Sequence, residues 1–545
     1  MNLPKVLLLF LLIPSFAFSK SVDVVVYGDA SGGITAAIQA AKMGKEVILI
    51  SQYGHLGGMT SSGLGWTDIG NTAILGGLAR EFYHRLYLHY QDEKAWNWQK
   101  RSEFENKGQG APALDPSREL ASTFEPKVAE KVFDEMIKEA GVSVVDGRLD
   151  LQNGVTKEGT RITRLHLEDG RCFSAKMFLD ASYEGDLLEA AGVSFRTGRE
   201  ANSEFNETGN GNTGGLPKNQ LRKGIDPYVV KGDSSSGLLP FVNPDPGGEK
   251  GDADQRFQAY CYRMVLTDHP GNRVMVTKPK GYKELDYEIL FRAIEVGQKS
   301  NFFKLSPMPN RKTDSNNTGG ISTDFIGANY GEDWNWATLN HEEREALADK
   351  HRDWQLGLIW TLQNHPRVPE SIRESYSEWG LAKDEFTDNG NWPYNLYVRE
   401  ARRMASDFVM TEAHCRNQLP IEDSVGMGAY TLDSHNVQRF VKDGMVRNEG
   451  DIQSYIRGTG PYKISYRALV PKADECENLL VPWALSSTHI AFGSIRMEPV
   501  FMVLGQSAAT AACIAIDEEV SVQDVCYSQL KKRLLADGQA LEINK

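Results

Sequence analysis

Short unbroken apolar runs stand at both ends of this chain, with helical periods between them, and that alternation predicts a parallel sheet crossed by helices. Val24 to Tyr27 is the first run, and it stops at Gly28. Small residues follow in Asp29-Ala30-Ser-Gly-Gly33, then a helical period over Ile34 to Met43 and a second apolar run, Glu46-Val-Ile-Leu-Ile50. Strand, glycine turn, helix and strand in this order form a dinucleotide-binding entrance: Gly28 permits the tight turn, and Gly33 lets the helix lie close on the sheet. A diphosphate is expected on the helix's first amides, where unpaired donors and the positive dipole end favour an anion. Ala30 replaces the second glycine, so the fingerprint is the looser G-x-A-x-x-G, with Gly32 inside it. No acid ends the second strand to hold a ribose hydroxyl. Ser51 and Gln52 stand there.

Further along, Phe124 to Gly141 has helical spacing, with Val128, Val132, Met136 and Ile137 on one face, Pro126 early and Gly141 as its stop. Strands are expected at Val142 to Val145, Arg161 to Leu167 and Arg171 to Leu179, the last ending in the small-residue turn Asp180-Ala181-Ser-Tyr-Glu-Gly185-Asp186. Residues 202–251 are rich in Gly, Pro, Asn and Ser, which marks loops and a domain boundary. A tryptophan- and tyrosine-rich region of about 200 residues follows, of ordinary domain size. The buried pattern then returns in Asn478 to Leu485, expected as a strand, and in Glu498 to Ala515, expected as a buried helix with Pro499 in its first turn. Gly505, Ser507, Ala508, Ala509, Ala511 and Ala512 make that helix thin enough to lie against another backbone or a flat cofactor.

The first residues read as an export signal: Lys5, an apolar stretch from Val6 to Phe18, and the small-residue site Ala17-Phe-Ser19. The mature chain is expected to begin near Lys20, in a periplasmic or secreted protein. The stretch is short of the roughly 20 apolar residues of a membrane span, and none is expected elsewhere. About 525 residues would remain of 545, enough for two or more domains. A net charge of −13 without a long Lys/Arg run argues against nucleic acid as a partner. Six cysteines (172, 261, 415, 476, 513 and 526) have no metal-type spacing and read as buried free thiols; no metal is expected.

Together these segments resemble a family of FAD-dependent oxidoreductases, many of them exported by bacteria. In cofactor binding that family is distantly related to the fumarate reductase and succinate dehydrogenase flavoproteins. The resemblance rests on Val24 to Gly33, His55-Leu-Gly-Gly-Met59, Ser62-Gly63-Leu-Gly-Trp-Thr-Asp68, Asp180 to Asp186 and Ser487 to Val500. In the middle region it adds Pro309 to Asn317, Trp379 to Phe386 and Tyr397 to Arg403. It implies an α/β fold: a Rossmann-like FAD-binding domain of the glutathione-reductase type, interrupted by an α+β substrate or cap domain. The expected bounds are a signal at 1–19, FAD domain at 20–200 and 466–545, and cap at 201–465. Gly28, Ala30, Gly32, Gly33, Ser51, Gln52, His55, Gly57, Gly58, Met59, Gly63, Val145, Ala181, Gly185, Asp186, Met497, Glu498 and Pro499 are the expected cofactor contacts. His55 either attaches the flavin covalently or orders Gly57 and Gly58 beside the diphosphate. The N-terminus of the last helix is expected to stabilise the anionic edge of a reduced flavin.

Oxidation of an alcohol needs a base for the hydroxyl proton while hydride leaves for the flavin. The resemblance places His489 and Arg496 near the flavin, and His435 is a second candidate base from the cap. Arg496 either steadies a developing anion or pairs with Glu498. Arg399, Arg402 and Arg403 are read on one amphipathic helix with Arg402 on its apolar face, where a buried guanidinium needs a partner: a substrate oxyanion, or Glu385, Asp388 or Glu412. Trp334, Trp336, Trp354, Trp360, Trp379 and Trp392 are either core or a sugar-stacking platform. Asp314-Ser-Asn-Asn317 either binds hydroxyls or shapes a turn. The expected activity is hydride transfer between FAD and a small-molecule or saccharide substrate, plausibly a carbohydrate or sugar acid, with an unidentified electron acceptor. The alternatives are a carbohydrate lyase or hydrolase using transient FAD oxidation, and a saccharide-binding protein with a structural flavin.

Overall fold

The computed structural model describes residues 19–325, 335–453 and 460–543. Residues 1–18 of the expected signal peptide and Trp334 lie outside these residues; Ser19, expected as its last residue, opens the first strand. Strand β1 (Ser19–Tyr27) is central, and Val24, Val25 and Val26 are fully buried because both faces of the sheet are covered. Helix α1 (Ser31–Lys42) crosses to β2 (Val47–Ser51), which pairs parallel with β1, Val24 opposite Val47. After α2 (Gly77–His89), helix α3 (Pro126–Ala140) leads to β3 (Ser143–Asp146), parallel to β2. Gly141 stops α3 at φ +68°, the left-handed conformation that closes helices.

Strands β4 (Val155–Glu158), β5 (Arg161–His166) and β6 (Cys172–Asp180) form an antiparallel meander, and β6 also pairs parallel with β1. The short helix α4 (Asp186–Ala190) follows the turn after β6.

The chain leaves for the middle region and builds a second, five-stranded antiparallel sheet. Its members are β7 (Met264–Thr267), β8 (Arg273–Val274), β9 (Lys304–Met308), β10 (Lys312–Asn316) and β11 (Gly380–Ala382), in the order β8-β11-β7-β10-β9. The 24-residue helix α5 (His341–Asn364) belongs to the same region.

The return completes the first sheet. Strand β12 (Leu479–Leu480) pairs parallel with β6; then α6 (His489–Ile495) and α7 (Glu498–Glu518) follow. Helices α1 and α7 meet backbone to backbone: a methyl on Gly505 would lie 1.9 Å from the Gly32 carbonyl oxygen, and one on Gly32 would lie 2.8 Å from that of Phe501. Among the described residues α7 is the one helix long and apolar enough to cross a membrane, but 94% of its apolar window is buried inside the protein. It is a core helix.

Four expectations change. The segment around Arg399 to Val409 is not a helix; apart from a two-residue strand at Arg403–Met404 it is irregular, because buried bonds to distant segments override the local period. All three arginines are buried, rather than Arg402 alone. Of Asn478 to Leu485 only Leu479–Leu480 is strand, with Pro482 close behind. All six cysteines are free thiols, as expected, but Cys526 is exposed.

Candidate active site

The dinucleotide entrance is built from backbone. Gly28 has φ +112°, and a methyl there would lie 2.5 Å from the Ala181 carbonyl; on Gly33 it would lie 2.0 Å from the Gly28 oxygen. Side chains are excluded at both places, so the β1 turn, the start of α1 and the turn after β6 come together as three bare strands of backbone. Ala30, at the N-cap of α1, supplies no side-chain acceptor, and its backbone bridges to Gly57. Gly57 and Gly58 have φ of +111° and +53°, and Met59, fully buried, donates its amide to the Tyr183 hydroxyl at 2.6 Å. The uncapped helix start and the glycine-lined approach fit a diphosphate.

Glu498, the first residue of α7, joins the pieces. Its carboxyl accepts from Ser31 Oγ at 2.5 Å, Thr60 Oγ1 at 2.9 Å and Tyr183 OH at 2.9 Å. The expected partner Arg496 is not among them. Burial pushes this carboxyl up to about 7. Met497 is the helix's extended N-cap without a side-chain cap bond, and Pro499 lies in the first turn.

At the far end of the entrance, Ser51 Oγ is spent on Asp29 (2.6 Å), whereas Gln52 Nε2 is buried with no hydrogen-bond partner, free for a ribose or adenine group. Val145 is half-buried on β3, opposite Ile50. A small cavity of about 250 Å³ opens beside Gln52 and Tyr53, with Arg148, Trp336 and His341 also on its wall. His55 turns away from the glycines. Its Nδ1 lies 2.9 Å from Glu130 Oε1, and its ring stacks on Tyr394 at 3.4 Å. Gly63, at φ +104°, serves the contact with the middle region, since a methyl there would lie 1.8 Å from the Arg263 carbonyl oxygen.

Gly185 has φ +70° in the turn after β6, and Asp186 is clamped there by two guanidiniums, Arg344 at 2.7 and 2.8 Å and Arg402 at 2.9 Å. Burial alone would raise the Asp186 carboxyl, but Arg344 and Arg402 hold it below the usual carboxylate range. Arg402 also binds Glu189. It has the carboxylate partners expected of a buried arginine, though not Glu385, Asp388 or Glu412, because its guanidinium is taken up by the turn after β6, by Glu189 and by the Ala337 carbonyl. Arg399 pairs with Asp324 at 3.0 Å, and Arg403 with Glu200 at 2.8 Å.

The second half of the site is a cavity of about 510 Å³ whose wall includes Asp68, Asn316, Asn317, Tyr430, Asp433 and His435, with Lys218 and Lys304 also on it. His435 is buried, its Nδ1 3.0 Å from Asp324 Oδ2 and its Nε2 3.4 Å from Asp433 Oδ2. Arg496, just before α7, donates to Asp433 Oδ2 (2.8 Å), Gln258 Oε1 (3.0 Å) and Tyr397 OH (2.9 Å). Burial would raise the Asp433 carboxyl, but His435 and Arg496 hold it far below its ordinary value. Asp433 Oδ1 and Gln258 Nε2 are buried and without hydrogen-bond partners, an acceptor and a donor with bonds to give.

His489 stands one layer back, Nδ1 2.8 Å from Glu400 Oε2 and Nε2 3.1 Å from Ser434 Oγ. Both its nitrogens are occupied. It anchors the residue between Asp433 and His435, so the structure gives it a positioning geometry.

Asp314 is locked to Arg263 at 2.6 and 2.5 Å, leaving Asn316 and Asn317 of that run to face the cavity. No tryptophan lines this cavity among the described residues. Sequence reasoning missed Ser31, Thr60, Tyr183, Asp68 and Asp324. Ser31, Asp68 and Tyr183 lie inside quoted motifs, but nothing local marks Asp324.

The fold and the backbone entrance define a flavoprotein of the dinucleotide-binding class. The chain belongs to the FAD dependent oxidoreductase family, whose model matches residues 23–534, so it is an FAD-dependent oxidoreductase. No curated protein matches it. Among solved structures it is similar to a 3-ketosteroid-delta4-(5alpha)-dehydrogenase from Rhodococcus jostii (17% identity, 33% of this chain and 50% of that one, TM-score 0.21). It is also similar to an L-amino acid deaminase from Proteus vulgaris (16%, 34% and 53%, TM-score 0.24) and to a flavin monooxygenase from Stenotrophomonas maltophilia (15%, 33% and 42%, TM-score 0.18). The chain spans about half or less of the length of these structures. At such TM-scores the matches are local.

Proposed function

We propose that this enzyme oxidises a hydroxyl-bearing carbon of a small polar substrate, a carbohydrate or its acid derivative. The observation that carries the reading is the His435 cavity, whose wall is rich in groups that bind hydroxyls and carboxylates. FAD, when bound, supplies the hydride acceptor. With Nδ1 held by Asp324, His435 gives up its 3.4 Å Nε2 contact with Asp433 Oδ2 when substrate enters, and Nε2 then takes the substrate's hydroxyl proton. Asp433 Oδ1 accepts a hydrogen bond from a neighbouring hydroxyl, and Arg496 holds Asp433 in place. His489, through Ser434, keeps the Asp433–His435 segment in register. Lys218 and Lys304 supply positive charge for an acidic sugar.

The cofactor-binding motifs support a distant kinship with fumarate reductase-type flavoproteins. The Lys5-to-Ser19 pattern supports export, with electrons passed to an acceptor outside this chain. The reading is tested by anaerobic visible spectra of the holoenzyme with neutral and acidic sugars. Bleaching of the flavin band by one of them is expected; cleavage of a sugar with no net electron consumption would replace this reading with the lyase one, and binding without either would leave a saccharide-binding protein.

A further inference from the structure

Three separate segments that form the dinucleotide entrance each send one hydroxyl to the same buried carboxyl. Ser31 opens α1, Thr60 lies in the turn after Gly57, and Tyr183 lies in the turn after β6; all meet Glu498 within 2.5 to 2.9 Å. Tyr183 is itself pressed on that entrance, since a methyl on Gly58 would lie 2.2 Å from its hydroxyl. Glu498 is 3% exposed, and no cation pairs with it among the described residues. Arg496, two residues earlier, is committed to Asp433. A carboxylate without a counter-ion in this place would be costly to bury, and more so beside a diphosphate that carries negative charge of its own.

We propose that Glu498 works as a neutral acid that ties the cofactor entrance together, and that the enzyme takes up a proton there when it binds FAD and loses its grip on FAD when that proton leaves. The hydrogen bonds close in the protonated form. Glu498 Oε2–H donates to Ser31 Oγ across the 2.5 Å contact, and the Ser31 hydrogen turns to the Glu498 backbone carbonyl, 3.3 Å away. Thr60 and Tyr183 still donate to the carboxyl oxygens.

The groups facing Glu498 are few. They are Ser31 on α1, Thr60 on the Gly58–Ser61 turn, Tyr183 after β6 and Tyr83 on α2, both tyrosines raised by burial. Three other buried acids stand on the entrance segments, each raised by burial: Asp29, which accepts from Ser51 Oγ and the Tyr53 amide; Asp180, pushed up to about 6, which accepts from Ser182 Oγ and the Leu188 amide; and Glu184, pushed up to about 7, which accepts from Trp336 Nε1. The sign follows. Burial lifts Glu498 from an ordinary 4.5 to about 7, and an adjacent anion lifts it further. Affinity for FAD is therefore full below about pH 7 and falls about tenfold per unit above it, until the pKa of the loaded site is passed.

The test is release of FAD from the holoenzyme, followed by flavin fluorescence from pH 6 to 9 at fixed ionic strength. The dissociation constant is expected to be flat to about pH 7 and then to rise about tenfold per pH unit. Calorimetry of FAD binding at pH 8, in two buffers of different ionisation heat, is expected to show uptake of about one proton. Glu498→Gln keeps the shape and the neutral charge and is expected to bind FAD with no slope, while Asp29→Asn and Glu184→Gln keep the slope. A flat wild-type profile without proton uptake, a slope surviving Glu498→Gln, or a slope abolished by Asp29→Asn or Glu184→Gln would each overturn the proposal. Should Glu498→Gln fail to fold, the wild-type profile, its proton count, Asp29→Asn and Glu184→Gln decide alone.

Discussion

Around the start of α1 the walls are peptide backbone and three hydroxyls converging on one carboxyl, whereas around His435 they are carboxylate, imidazole, phenol, amide and ammonium groups. The first region recognises its ligand by letting backbone come close. The second holds a histidine and two acids in a fixed array, with Asp324–Arg399 and Asp433–Arg496 pairs behind them. One region is built for affinity, and the other for discrimination and proton transfer. A flavoenzyme needs both, and here they meet at the α6–α7 junction, where Arg496 holds Asp433 of the cavity wall and Glu498 ties the entrance.

Substitutions should separate the two. Gly33→Val in the entrance is expected to abolish FAD binding, since its first carbon alone would lie 2.0 Å from the Gly28 oxygen; the purified protein should carry no flavin band. His435→Gln in the cavity is expected to keep FAD yet slow its reduction by substrate about 10²- to 10⁴-fold, measured by anaerobic stopped flow. Loss of FAD in that variant would erase the division of labour. Arg402→Ala leaves Asp186 with Arg344 alone, and about 3 kcal/mol of stability is expected to go, read as an earlier denaturant midpoint. Lys304 is exposed, so Lys304→Gln is expected to raise KM by no more than about fivefold, for acidic sugars only.

The entrance was legible because its chemistry is local. Gly28, Gly33, Gly57 and Gly58 announce positive φ or close approach within a few residues of a strand, and α1, α3 and α7 begin and stop close to where capping and proline signals put them. The cavity was legible only in pieces. His435 and Arg496 were found, but Asp324 reaches His435 across 111 residues, and Arg402 reaches Asp186 across 216. No period or spacing carries such pairings. The same long reach misled the helix reading at Arg399 to Val409, where amphipathic spacing is real but bonds to Ser487, Ala484 and Glu184 decide the backbone.

The return of the chain at β12 and α7 also orders events in time. During synthesis the first 200 residues emerge with their glycines in place, yet Ser31, Thr60 and Tyr183 have no common acceptor, and β6 lacks the strand that pairs with it at Phe178 and Leu179, until residues 479 to 498 arrive. A nascent or truncated chain therefore has no finished berth for a flavin. Acceptance of the cofactor becomes a proofreading step: only a molecule translated through α7 turns yellow.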